Sequence, residues 1–553
     1  MSKPRTLIIG LDGATFDLIK PWGEAGHLPS LSRLMAQGVH GPLQVWPNTN
    51  SAAAWTSMVT GYNPGQHGVY DLVGALPKRD KTWRPTTAGD RRKNPFWRIL
   101  SAAGQRVGII NVPISYPADP INGFMLAGMD APGIHSPGFA HPADLLDRLA
   151  YQGIDYVIDV PNLRVLSRSN PQRVPQSVKH MVEARAQTIL HLMKTRPWDV
   201  LMAVFVATDR MQHYFWPNKQ TSVENGDWAP IRCLYQRIDA FFEDALALAD
   251  RNTTVLVVSD HGFGPARMAK RCLNPLFAHL GWLHYRKGGS GMKGRLLKHL
   301  MPFGRQIIPQ KLQDPLARAL PGLRLRAVTA HMFSDIEWSQ TQVWASPNGR
   351  DVFINLQGRA PEGVVSPEDY RPFRECVRDL LLDLTDPLTG NHVVHGVYPR
   401  EQIYRGPYLD KGADLLIEWD EDLVGDTLYC RVEGKPVIIQ APEDGGPGQG
   451  WSGTHRPQGI FIAWGPNIKS GAGVTHATIY DIAPTILYLQ GHPIPRDMDG
   501  KVLTDIFTDG HLAHHPVKQT ESTGMTAPEA PGSLDPKEAL KVEERLRGLG
   551  YIE

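Results

Sequence analysis

The stretch Val255-Leu256-Val257-Val258-Ser259-Asp260-His261-Gly262 decides the reading of this chain. Four consecutive apolar residues without polar alternation describe a strand buried on both faces, as in a parallel sheet covered by helices. The run stops at an acid, an imidazole and a glycine, so the strand ends in polar groups and the chain turns there. Three more runs have the same build: Leu7-Ile8-Ile9-Gly10-Leu11, Val107-Gly108-Ile109-Ile110, and Val200-Leu201-Met202-Ala203-Val204-Phe205-Val206. Between them lie amphipathic stretches of helical spacing, at Leu31 to Ala36, Asn94 to Ala103, Val178 to Met193 and Cys233 to Ala249. This alternation predicts an α/β fold with a doubly wound, mostly parallel sheet flanked by helices. Ligands of such sheets gather beyond the carboxyl ends of the strands, which makes the strand-ending residues the candidates for function.

The chain has 553 residues, of which 42% are apolar and 21% charged, a composition that excludes wholesale disorder. That length exceeds what one hydrophobic core organises, so a large domain with a substantial insertion, or two to three units, is expected. The net charge of +2 excludes a generally nucleic-acid-coating protein. Cys233, Cys272, Cys376 and Cys430 form no CxxC pair, which argues for free buried thiols over a zinc knot or a disulfide framework. The opening MSKPRTLIIGLDG holds an apolar run of only three residues before Gly10, and no later stretch reaches the ~20 apolar residues of a membrane span. A cytoplasmic protein is the expectation.

Five pieces place chemistry near strand ends: Asp12 in Gly10-Leu11-Asp12-Gly13, Ser51 in Asn50-Ser51-Ala52-Ala53-Ala54-Trp55, Asp209 and His213 in Thr208-Asp209-Arg210-Met211-Gln212-His213, Asp260 with His261, and His455 in Ser452-Gly453-Thr454-His455-Arg456. Each alone has an ordinary explanation. An acid after a strand commonly caps a helix, a serine before a helix is commonly its N-cap, and a lone histidine is commonly structural. Yet Asp209 and His213 would share one helix face and could chelate a cation, and a hydroxyl at a helix start sits where the dipole favours an anion. Five independent caps at the edge of one sheet fit the pattern poorly.

The charge is unevenly spread. From Arg267 to Arg326 thirteen bases face a single acid, Asp314, so the remainder of the chain is net acidic. The domains are accordingly expected as a core of residues 1–262 and 345–507, a basic insertion or cap at 263–344, and a flexible linker with a short terminal helix at 508–553, the helix running from an Asp535 cap to Gly548. The segment GMKGRLLKHLMPFGRQIIPQKLQDPLARAL mixes bases with Leu, Ile, Met and Phe, as a cationic cap over an anionic substrate would, or a peripheral membrane contact. A solvated helical insertion with its apolar side on the body explains it equally well.

The ordered set Asp12, Ser51, Asp209-x-x-x-His213, Asp260-His261, His455 resembles the alkaline phosphatase superfamily, and within it the type I phosphodiesterase/nucleotide pyrophosphatase family. The stretches TSMVTGYNPGQHGVYD and DIAPTILYLQGHPIPRDMDGKVL are similar to that branch, and the ending RLRGLGYIE looks like the tail of many bacterial members. The resemblance covers most of residues 5–265 and 345–507. It implies two divalent metal ions, zinc first and manganese as the alternative, with Asp12, Ser51, Asp260 and His261 on one and Asp209, His213 and His455 on the other. It further implies attack by Ser51 on phosphorus and a phosphoseryl intermediate that water releases.

One departure from the family pattern bears on the substrate. Family members carry an Asn shortly after His-Gly that holds a phosphate oxygen, and here the run is His67-Gly68-Val69-Tyr70-Asp71-Leu72. Asn50, Arg91 and Arg92, or the basic insertion, are the expected substitutes. No further acidic cluster announces a third, magnesium-type site, which favours diesters over monoesters. The expectation is therefore a metal-dependent hydrolase of phosphodiester or phosphoanhydride bonds acting on an anionic small molecule. A phosphomonoesterase or phosphomutase using the same metals is the alternative, and a non-catalytic anion- or membrane-binding protein on this scaffold is a third. A sulfatase is disfavoured because Ser51 lacks the x-Pro-x-Arg context. Nothing in the sequence announces an oligomeric state.

Overall fold

A computed structural model of the chain describes residues 4–74, 84–217, 222–223, 225–266, 268–286, 336–360, 362–421, 425–442, 450–521 and 534–552. The apolar runs form the centre of a nine-stranded sheet, whose spatial order is Ala472–Gly473, Val39–Gln44, Gln458–Trp464, Thr253–Val258, Arg5–Leu11, Val200–Phe205, Val107–Ile110, Gly123–Leu126 and Ala140–His141. The five strands from Thr253–Val258 to Gly123–Leu126 are parallel to one another. Their register pairs Gly10 with Val204 on one side and Val258 on the other, so Asp12, the start of the helix Ala207–Phe215 and Asp260 leave the sheet at one edge. Gly10 is required by packing. A Cβ there would lie 2.5 Å from the Trp55 ring, which the helix Ser51–Thr60 lays onto the sheet.

The late strand Gln458–Trp464 is antiparallel to Thr253–Val258, with Phe461 opposite Val258. The reason is local. Beyond the sheet edge the chain continues as Gly262–Pro265, which pairs antiparallel with Gly453–Arg456, and the latter runs straight back into Gln458–Trp464. One long two-stranded ribbon thus leaves and re-enters the sheet, and it sets His455 opposite Phe263.

Described residues between the two arms of the ribbon build a second core. Its buried residues run from Ala269 to Ala441, whereas those of the main core lie at or before Phe263 and at or after Ile460. The second core holds an antiparallel sheet ordered Val394–Pro399, Leu415–Trp419, Asp351–Ile354, Val343–Ala345, the hairpin Thr427–Val432 with Lys435–Gln440, and the helices Leu273–His279 and Tyr370–Leu382. The border expected at 345 therefore falls at the end of strand Val343–Ala345. Residues on both sides of it share one core, because the return to strand-like sequence there belongs to the second sheet. The bases from Lys287 to Arg326, and with them the amphipathic segment read as a cap or membrane contact, lie outside the described residues. Tyr70, Tyr404 and Leu416 form a small cluster where the two units meet.

Of the expected linker, residues 509–514 are helical and Gln519–Thr520 pairs with Ile494–Pro495, while 522–533 lie outside the described residues. The last helix, Pro536–Leu549, is capped by the Asp535 carboxylate and ends at Gly550, whose φ of 96° is open to glycine. Gly548, the expected stop, instead sits where an added Cβ would lie 3.3 Å from the Asn162 backbone. Val542, Leu546, Leu549 and Ile552 join the main core. All four cysteines are free, with Cys272 and Cys430 buried and, contrary to expectation, Cys233 and Cys376 exposed. Among the described residues no helix is long and apolar enough to cross a membrane.

Candidate metal centre

Asp12 ends the first strand, and Gly13, at φ 68°, turns the chain so that its N–H donates to Asp260 Oδ1 at 3.2 Å. The helix Ala207–Phe215 begins where its strand ends and carries Asp209 and His213 one turn apart, both fully buried. Gly453 lets the ribbon close on this helix. A Cβ there would meet Gln212 O at 2.4 Å, and its own carbonyl accepts from His213 Nδ1 at 3.0 Å.

The imidazole tautomers are set by the backbone. His213 Nδ1 faces Gly453 O at 3.0 Å, His261 Nδ1 faces Gly262 O at 3.0 Å and His455 Nδ1 faces Thr49 O at 2.9 Å. A nitrogen against a carbonyl must carry the proton, so in each neutral ring Nε2 presents a lone pair. Those lone pairs point at carboxylate oxygens. Asp209 Oδ1 lies 3.1 Å from His213 Nε2 and 3.2 Å from His455 Nε2, and these two nitrogens are 3.1 Å apart. His261 Nε2 lies 3.3 Å from Asp260 Oδ2, 3.6 Å from Asp12 Oδ1 and 3.2 Å from Ser51 Oγ. Asp12 Oδ1, Asp209 Oδ1 and Asp260 Oδ2 are buried without a hydrogen-bond donor. Lone pair facing lone pair in a dry pocket is repulsive unless a cation sits between them.

Titration runs the same way. Burial, against the pull of Asp209, lowers His261 to about 4, and burial also lowers His213 and His455, so all three rings are neutral ligands at pH 7. Burial, with Asp260 and Asp209 beside it, holds Asp12 well above the ordinary carboxylate range. Burial pushes Asp260 to about 7, where the nearby Asp209 adds to it and His455 opposes. Against its burial, Asp209 is held well below the ordinary carboxylate range, with the Arg210 guanidinium beside it. A dication would relieve this clustering of acids as protons otherwise must. The donors also group by distance. Asp12, Asp260 and His261 form one set and Asp209, His261 and His455 another, each with ligand atoms within 4.8 Å, and His261 reaches both. Carboxylates with imidazoles suit zinc or manganese better than calcium.

Ser51 is the first residue of the fully buried helix Ser51–Thr60 and is 4% exposed. Asn50 caps that helix, accepting from Ala52 N at 2.9 Å, and its amide donates to Asp71 Oδ1 at 2.8 Å. Ser51, Asn50 and His455 contribute to the lining of a cavity of about 150 Å³, to which Lys270, Arg271 and Arg350 of the second unit add a cationic side. Glu421 holds that cationic side in place, 2.6 Å from Arg350, 3.8 Å from Lys270 and paired with Arg456. Despite burial, these cations hold the Glu421 carboxyl down at about 2.

A family model described as type I phosphodiesterase / nucleotide pyrophosphatase matches residues 6–424. The chain belongs to this family. Its fold is that of the alkaline phosphatase superfamily, shared with murine ectonucleotide pyrophosphatase / phosphodiesterase 5 solved in complex with AMP, at 12% identity and a TM-score of 0.50 over 92% of this chain and 100% of that one. Phosphonoacetate hydrolase from Sinorhizobium meliloti 1021 also matches, at 13% identity and a TM-score of 0.49 over 88% of this chain and 95% of the other. Among curated sequences, a 2,3-bisphosphoglycerate-independent phosphoglycerate mutase of Agrobacterium fabrum is 31% identical over 98 residues, which is 18% of either chain.

Every ligand position expected of a type I phosphodiesterase is thus brought to one place, but two of the expected substrate contacts are not. Arg91 is buried, donating to Ile114 O at 3.1 Å and pairing with Asp119 at 3.3 Å. Arg92 bonds Gly89 O, and neither arginine lines the cavity. Asn50 does line it, with its amide committed to the helix cap and to Asp71. The cavity instead takes Arg350, Trp451 and Tyr551, which sequence reasoning missed. Lys270 and Arg271 lay within the basic run that had been noticed. The one signal for Tyr551 was the tail RLRGLGYIE, which carried a family likeness and no chemistry.

Proposed function

We propose that the chain is a divalent-metal-dependent hydrolase of phosphodiester or phosphoanhydride bonds that works through a phosphoseryl intermediate on Ser51. The observation that supports this reading is the convergence of three imidazole lone pairs on donor-free carboxylate oxygens, with Ser51 Oγ 3.2 Å from one of those imidazoles. Asp12, Asp260, His261 and Ser51 would hold one cation, and Asp209, His213 and His455 the other, zinc ahead of manganese. When bound, such a pair neutralises the attacking and leaving oxygens and lowers the pKa of hydroxyl groups held beside it.

The chain's own residues do the rest. Ser51 Oγ stands at the positive end of a ten-residue helix, which favours its alkoxide. It forms the Oγ–P bond as the bond from phosphorus to the leaving oxygen breaks, and the leaving group departs with that electron pair. Water then attacks phosphorus, the P–Oγ bond breaks and Ser51 regains its proton. Burial of the centre keeps bulk water from quenching the field of the fixed charges. Lys270, Arg271 and Arg350 line the same cavity as Ser51 and suit a second anionic group on the substrate.

The 98-residue likeness to a phosphoglycerate mutase supports a phosphomonoesterase or phosphomutase as the second reading. Turnover of bis-p-nitrophenyl phosphate and of p-nitrophenyl phosphate by zinc- or manganese-loaded protein separates the two, with Ser51→Ala as control. Faster turnover of the diester, abolished in the variant, is the expected result. Undiminished hydrolysis by fully metallated Ser51→Ala would end the covalent reading.

A further inference from the structure

Asp209 uses its two oxygens differently. Oδ1 faces His213 and His455, while Oδ2 receives the Tyr551 hydroxyl at 2.6 Å and Arg210 Nη1 at 2.5 Å. Arg210 also donates to the Tyr551 oxygen at 2.5 Å, and is itself fixed by Asp159 at 2.8 Å. All four groups sit in or against the main core, and Tyr551 comes from 342 residues away.

The route by which it arrives is built. The helix Pro536–Leu549 docks through its apolar face and through Arg545, which donates to the carbonyls of Met129 and Ala131. Tyr214 holds the helix end by donating to Leu549 O at 2.8 Å. Gly550 then reverses the chain in the left-handed region, where a Cβ would stand 2.9 Å from the Tyr214 oxygen. The Tyr551 ring comes to rest edge-on against Trp451 at 5.5 Å, and Trp451 stacks on His213 at 3.4 Å. Tyr551 and Ile552 both line the cavity that holds Ser51.

We propose that Tyr551 is a positioning residue: the docked last helix delivers its hydroxyl to Asp209 so that the other carboxylate oxygen is aimed at His213 and His455, and its ring closes the cavity. The proposal rests on the two-cation reading above. Groups that orient a metal ligand from behind commonly change metal affinity by 10- to 100-fold. The same segment therefore controls both the affinity of one cation and the size of group the cavity admits.

The test is zinc titration of metal-stripped full-length protein, wild type against Tyr551→Phe and Tyr551→Ala, with melting temperatures recorded alongside. Wild type is expected to take two zinc ions. Tyr551→Phe should keep its fold and bind one of the two about tenfold more weakly, while its preference between a methyl and a bulky aryl phosphodiester stays as in wild type, because the ring remains. Tyr551→Ala should show the same zinc defect and shift the preference towards the bulky ester. Wild-type zinc affinity in Tyr551→Phe overturns the positioning role and leaves the two-cation reading standing. A wild-type chain that takes up no zinc overturns both.

Discussion

The cavity has two walls of opposite make. Next to Ser51 and His455, which line it, carboxylates and imidazoles crowd together with few hydrogen-bond donors among them. On the other side, Lys270 and Arg350 come from a separate core and share one acid, Glu421. The first wall is electrostatically incomplete and calls for cations. The second has one acid shared among several cations, so its surplus positive charge suits a substrate anion. On the proposed reading, chemistry belongs to the main sheet and substrate choice to the unit inserted through the ribbon.

Loss of the nucleophile should divide the walls most sharply. Ser51→Ala is expected to lower kcat by at least about 10³-fold with metal content unchanged, as measured by steady-state kinetics and elemental analysis. Next in size, His455→Ala should leave about one zinc per chain and with it little turnover. Full occupancy in that variant would show that the first wall is not the metal wall. Arg350→Ala should act on the other side only, raising KM about tenfold for substrates with a second anionic group and sparing those without one. An equal effect on both substrates would erase the distinction between the walls. The smallest effect belongs to Glu421→Gln. Because the folded protein holds this carboxyl at about 2, below its ordinary 4.5, it contributes stability above about pH 4.5 that is lost as pH falls towards 2. The Tm gap between wild type and variant should therefore be constant at neutral pH and close in acid.

The metal wall was legible in the sequence because buried parallel strands read as unbroken apolar runs, and the polar residues that stop them stand out. Asp12, Asp209, Asp260 and His261 all follow such runs directly. His455 instead precedes its strand, and its partner is hidden in the sequence, since the ribbon that carries it pairs residues nearly two hundred positions apart. Arg350 lies in a turn before a short strand, a setting common to surface arginines. Arg91 misled in the opposite sense: it is expected as a substitute phosphate contact, yet Asp119 draws that guanidinium into the core. The strongly basic run pulled attention to composition, while the second core is defined by strands on both sides of it. Tyr551 was illegible for a simpler reason. A tyrosine after a glycine acquires its role only from the helix that docks it.

The ribbon also bears on when the centre can exist. Asp12 emerges early in synthesis, but His455 is laid beside it only after the whole second unit has been made and the returning arm has paired with Gly262–Pro265. Contacts of such long sequence separation form late. A nascent or proteolytically shortened chain ending within the second unit would hold three buried acids and no complete site. Completion of the proposed two-cation site therefore requires that synthesis has passed the return strand, whereas the set Asp12, Asp260 and His261 is made before it.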